Sequence, residues 1–122
     1  MKKELSKRLK SMIADLAAKA HEREVRQRLE KLSDCLAHWK KGGIDTWDAM
    51  SELDRFRTNT NRLSQKYQRS SMTPLIVARA IAAGFLRENE VPKEVLETLE
   101  QEIKYFKHGF ADGTLSLADE DD

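Results

Sequence analysis

One cysteine, two prolines and five glycines are all that 122 residues hold of the residue types that staple, break or loosen a chain. A lone Cys35 excludes an internal disulfide, so stability must come from packing. Prolines only at 74 and 92 leave the rest of the chain free to be helical. Long apolar runs are also missing. Runs such as Leu75 to Ala78 are far short of the ~20 residues of a membrane-spanning helix. The basic start, MKKELSKRLK, lacks the apolar segment of a secretory signal after it, because Asp15 and Lys19 interrupt. The expectation is a cytoplasmic protein that does not enter a membrane.

Catalytic signatures are absent as well. There is no G-x-S-x-G, no phosphate-binding glycine loop and no H-E-x-x-H. Cys35 and His38 are three apart on one helical face, but a structural zinc site needs about four ligands and no second pair supplies them. No metal, cofactor or catalytic residue is therefore assigned.

What is present is charge and helical periodicity. Charged residues make up 35% of the chain and apolar ones 39%, the balance of a helical bundle rather than of a disordered chain. The length suits one domain with a core of its own. The charge is segregated. Residues 1–41 carry 12 basic and 6 acidic side chains, whereas residues 109–122 carry 5 acidic and no basic ones. A basic head and an acidic tail suit two different partners, or a tail that screens the head.

The chain is organised around Ile44 to Arg69. Asp45 is a good N-cap, and Asp48 places an acid in the first turn. Ala49, Leu53, Phe56, Leu63 and Tyr67 then recur on one side at about 100° per residue. Arg55, Asn59, Arg62, Lys66 and Arg69 lie opposite. Their mixture of cations and an amide suits a phosphate backbone or a polar pocket, and they are the candidate binding residues. Between them runs Thr58-Asn59-Thr60-Asn61, four poor helix formers in the middle of a helix. A helix either breaks at such a run or keeps it for a reason.

Upstream, Leu5, Leu9, Met12, Ile13, Leu16 and Ala20 form one apolar stripe. Val25, Leu29, Leu32, Leu36 and Trp39 form another, pointing about 170° away at 100° per residue. One straight helix would leave one stripe outside the core. Either the chain breaks between Ala20 and Glu24, or Leu5, Leu9, Met12 and Leu16 meet a second copy of the chain as a homodimer interface. The break is favoured slightly. Lys40-Lys41-Gly42-Gly43 ends this segment, with Trp39 and Trp47 expected to pack across the turn.

Downstream, Thr73 as N-cap and Pro74 begin a nearly all-apolar helix that reads as buried on most sides. Pro92 begins a last helix that Gly109 stops. The sequence thus predicts an all-α bundle of four to five helices, near 3–20, 22–41, 46–69, 74–88 and 92–108. The domain spans residues 1–109, and a mobile acidic tail covers 110–122. Leu29, Leu32, Leu36, Leu53, Phe56, Leu63, Val77, Ile81, Phe85, Leu99 and Ile103 are the expected core. The leading functional expectation is a non-enzymatic interaction or regulatory module that binds a protein partner. Nucleic-acid association through the basic stripe is the alternative, and a small enzyme with a polar pocket on the central helix is the third reading.

Overall fold

The computed structural model describes residues 5–117, and it is all-α. Five helices follow one another: α1 (Lys7–Lys40), α2 (Thr46–Gln68), α3 (Thr73–Ala83), α4 (Lys93–Thr98) and α5 (Glu100–Asp112). Short 3-10 turns at Ser70–Met72 and Glu88–Glu90 link α2 to α3 and α3 to α4.

The helix α1 does not break. It runs for 34 residues, roughly 50 Å at ~1.5 Å per residue. Ser6 caps it, accepting a hydrogen bond from Leu9 N at 3.1 Å. Nothing inside it interrupts the backbone ladder: the region of the expected break, Ala20 to Glu24, holds neither glycine nor proline.

With α1 continuous, the two stripes meet different surroundings. The first stripe belongs to the chain's own core: Ile13, Leu16, Ala17 and Ala20 are buried, and Leu5, Leu9 and Met12 pack against them. Of the expected dimer face, Leu16 is buried within the chain, and Leu5, Leu9 and Met12 are covered in part. The stripe left outside is the second one, and Leu29 and Leu36 are exposed.

The core sits at one end of α1. It joins the first half of α1, the end of α2 (Leu63, Tyr67), all of α3, and the inner faces of α4 and α5. The helix α3 is central, with every residue from Ile76 to Ile81 buried. Its alanines, with Ala78 and Ala80 fully enclosed, let α1 and α5 approach closely. Thr73 is the first helical residue rather than the cap, and its hydroxyl donates back to the Arg69 carbonyl at 3.3 Å. The helix ends at Gly84, earlier than expected, because this glycine adopts φ 89, a left-handed conformation that costs any other residue dearly. Leu86, Val91 and Val95 then fill the core from the linking segment and α4.

Arg23 clamps that segment to α1. Its guanidinium donates to the Phe85 carbonyl at 2.8 Å and forms a two-pronged pair with Glu90. Glu90 also accepts from Arg87 N at 2.7 Å. Hydrogen bonding from Arg23, and then from the Arg87 backbone, lowers the Glu90 carboxyl from its ordinary 4.5 to about 2.

The chain after Gly109 also differs from expectation. Gly109 lies inside α5, buried, with Leu115 folded back on it; a Cβ there would meet the Leu115 side chain at 2.3 Å. The Leu115 N–H donates to the Gly109 carbonyl at 3.0 Å. Residues 110–117 thus belong to α5 and its closing turn, and residues 118–122, the last five of the expected acidic tail, lie outside the described residues.

The rest of α1 and α2 forms an antiparallel arm. Asp45 caps α2 through Asp48 N at 2.7 Å, as its spacing suggested. His21 pairs with Ser64 at 2.9 Å near the body, and Trp39 donates to Thr46 at 3.1 Å near the tip. Going from one pair to the other covers the same number of residues on each helix, so the register is constant along the arm. Trp47 does not cover Trp39; it is 78% exposed.

Candidate functional site

Only Glu24 and Arg79 are buried charged residues among those described, and neither was expected to be buried. The register places Glu24 one turn beyond Ala20 on the core face of α1. Arg79 is the single charge within the apolar run of α3. They meet in a two-pronged pair at 3.0 and 2.9 Å. Tyr67 of α2 donates to Glu24 at 2.8 Å, and Arg28 lies 3.7 Å from the same carboxylate. Burial pushes the Glu24 carboxyl up, but the hydrogen bonds and charge of Arg79, with Tyr67 and Arg28, outweigh it and hold the group below its ordinary value. Burial, then the negative charge of Glu24, raises the Tyr67 hydroxyl. His21 stacks on the Tyr67 ring at 4.7 Å and 11°. The acceptor capacity of Glu24 is thus taken up by three neighbours, and the group is sealed from solvent. It is a junction tying α1, α2 and α3 together, not an acid or base open to a substrate.

Four of the five candidate binding residues divide between two places. Arg55 and Asn59 line a cavity of about 140 Å³ on one side of the arm, where Arg28 and Lys31 of α1 face them. Thr60 lines it too, and its hydroxyl oxygen is buried without a hydrogen-bond partner among the described residues. Lys66 and Arg69 instead edge a second cavity, of about 240 Å³, near the start of α3, with Met72, Leu75 and Phe106 as its apolar wall. Arg62 lines neither and is exposed. Reading α2 alone could not supply the α1 half of the first cavity. The clue was the Thr58–Asn61 run: α2 passes through it unbroken, and Asn59 and Thr60 turn to the cavity.

The opposite side of the arm is apolar. Leu29 and Leu36 of α1 are 49% and 38% exposed, and Met50 and Leu53 of α2 are 49% and 40% exposed. Leu29, Leu36 and Leu53 were expected in the core; they miss it because α1 and α2 have no third helix over them at this level. Leu32 and Phe56 are only half-buried for the same reason. A shallow groove of about 660 Å³ follows α1 here, with Val25 and Leu29 in its floor and Glu22, Arg26 and Glu30 along its edge.

Among the described residues, no group of three or more His, Cys, Asp and Glu side chains is gathered for a metal ion, and no helix is long and apolar enough to cross a membrane. No protein-family model, curated protein or solved structure matches the chain.

Proposed function

We propose that this protein is a non-enzymatic interaction module that holds an amphipathic helix of a protein partner against the apolar side of its arm. The observation that carries this reading is the leftover half of a coiled-coil seam. Val25, Leu29, Leu32, Leu36 and Trp39 are spaced alternately by four and three residues, the spacing at which one helix accepts knobs from another. In this arm, α2 takes up only part of that seam. Leu32 is half-buried and Trp39 is tied to Thr46, while Leu29 and Leu36 remain exposed. A stripe of large apolar side chains at this spacing supports a helical occupant over a flat sheet or a small ligand. The stretch from Val25 to Trp39 is ~21 Å long at ~1.5 Å per residue, about four turns of a partner helix.

The test starts from a photo-crosslinking residue at position 29 of the full chain. A captured protein is purified and titrated against the unmodified chain, a Leu29→Glu, Leu36→Glu variant and a Gln65→Glu control. Saturable binding that the double variant loses and the control keeps supports the reading. Equal binding to all three overturns it. A dimer of the chain itself, dissolved by the double variant, makes a second copy the occupant.

Nucleic-acid association is the second reading, supported by the alignment of Arg55, Arg62, Lys66 and Arg69 along one flank of α2. Its signature is a steep loss of affinity with salt. No binding at low salt removes it.

A further inference from the structure

We propose that the chain's own acidic end, residues 118–122, docks in the cavity of about 240 Å³ near the start of α3. This goes beyond the partner-binding reading and does not rest on it.

The first support is the path of the chain after α5. Ala111 to Thr114 are exposed, but Leu115, Ser116 and Leu117 are half-buried again. After the left-handed turn at Gly113 (φ 82) the chain therefore comes back to the body. Leu115 lies on Gly109. Phe106, which lines the cavity, is one turn earlier on the same side of α5. The other flank of α5 is already taken: Ile103 and Lys107 stand with Leu96 and Glu88 there, and Lys107 pairs with Glu88 at 3.6 Å. Gly109 and Phe106 are ~4.5 Å apart along the helix axis. Five residues of extended chain reach up to ~17 Å, so residues 118–122 are long enough to enter the cavity from Leu117.

The second support is charge. Lys66, Arg69 and Arg79 line the cavity, and none of the described residues that line it is a carboxylate. Arg79 is committed to Glu24, which leaves Lys66 and Arg69 as the cationic edge. Residues 118–122 read ADEDD, four acids and no base.

The third support is the order of the chemistry. The wall is apolar, and its Met72 and Leu75 are 42% and 38% exposed. Leu117 and Ala118 immediately precede the acids in the sequence. An apolar pair followed by acids matches an apolar wall that gives way to a cationic edge.

Attachment favours this occupant over a free one. A segment held by a short tether is present at an effective concentration on the order of millimolar. Contacts too weak to capture a separate acidic peptide then suffice. Docked there, the acids withhold Lys66 and Arg69 from a phosphate backbone.

The test is zero-length carbodiimide cross-linking of the dilute full chain, mapped by mass spectrometry. Isotopically light and heavy chains are mixed in equal amounts, so that links within one chain are told from links between two. The expected result is a link from Lys66 to residues 119–122 of the same chain, several-fold more abundant than any from Lys40 or Lys93. Arg69→Glu keeps Lys66 and reverses the neighbouring charge, so it should lower that yield several-fold. Lys41→Glu, at the tip of the arm, should leave it unchanged. Links spread evenly over the exposed lysines overturn the proposal, as does a Lys66 link that survives Arg69→Glu at full yield. Links to Lys7 and Lys10 instead make the acidic end a screen for the basic head, which also overturns it. Links found only between light and heavy chains assign the cavity to the acidic end of a second copy and overturn docking within one chain. Partner capture through Leu29 is read separately and does not depend on any of these outcomes.

Discussion

The two halves of α1 have similar composition and opposite fates. The first half puts Ile13, Leu16, Ala17 and Ala20 under three other helices, and all are buried. In the second half Val25 still packs against the edge of the core, but Leu29 and Leu36 beyond it are more than a third exposed. Apolar periodicity thus says which face of a helix is sticky. It does not say whether a neighbour is there. In the body the apolar surface is spent on folding; on the arm it remains to be used.

The sharpest way to break the contrast is to attack the charge pair on which the body closes. Arg79→Met leaves Glu24 buried with only the Tyr67 hydroxyl and the more distant Arg28 beside it, and should cost ~3–5 kcal/mol in urea unfolding. Replacing both partners, Glu24→Leu with Arg79→Met, should recover much of that loss, since the desolvation of both charges is then avoided. If the single and double variants are equally unstable, the pair is not the junction described.

Ile81→Ala, at the centre of α3, should cost ~2–5 kcal/mol by loss of burial and the cavity left behind. Leu29→Ala, the same kind of truncation on the arm, should cost less than ~1 kcal/mol. Comparable shifts in melting temperature for the two would erase the distinction between body and arm.

The smallest effect lies in pH. Glu90 is depressed to about 2 from an ordinary 4.5. The unfolded chain therefore binds the proton more readily than the folded one. The stability contributed by this group is complete above the ordinary value and is lost as pH falls from 4.5 towards 2. Glu90→Gln should lower stability near neutrality, where this contribution is complete, and flatten the curve between 4.5 and 2, so that the two proteins converge in acid. Glu24, also depressed, acts in the same direction, so the Glu90→Gln variant should still lose some stability in acid. A curve unchanged by Glu90→Gln would show that the Arg23 clamp does not persist in solution.

Much of this architecture was legible from local chemistry. Asp45 and Asp48 mark the start of α2, and the apolar run after Pro74 marks the buried helix. Leu63, Val77, Ile81, Leu99 and Ile103 fall in the core on their periodicity. What escaped was non-local. Glu24 stands four residues before Arg28, and salt-bridge spacing along one helix is the same whether or not another helix lies on top. Arg79 was the better signal: a single cation in an otherwise apolar run needs a buried anion, and Glu24 continues the core face of α1. The candidate binding residues were half visible for a similar reason. Arg55 and Asn59 share a flank of α2, but the cavity exists only where Arg28 and Lys31 arrive from α1. Lys66 and Arg69 continue that flank onto the body, where the neighbours differ and the same stripe edges another cavity.

The unbroken backbone of α1 has a mechanical consequence. The same rod is anchored by Glu24 in the body and carries Leu29, Leu36 and Trp39 towards the tip. With no glycine or proline between the anchor and the tip, the arm has no hinge. Whatever attaches there is held at a set distance and rotation from the body, and a load applied at the tip acts as a lever on the Glu24–Arg79 junction.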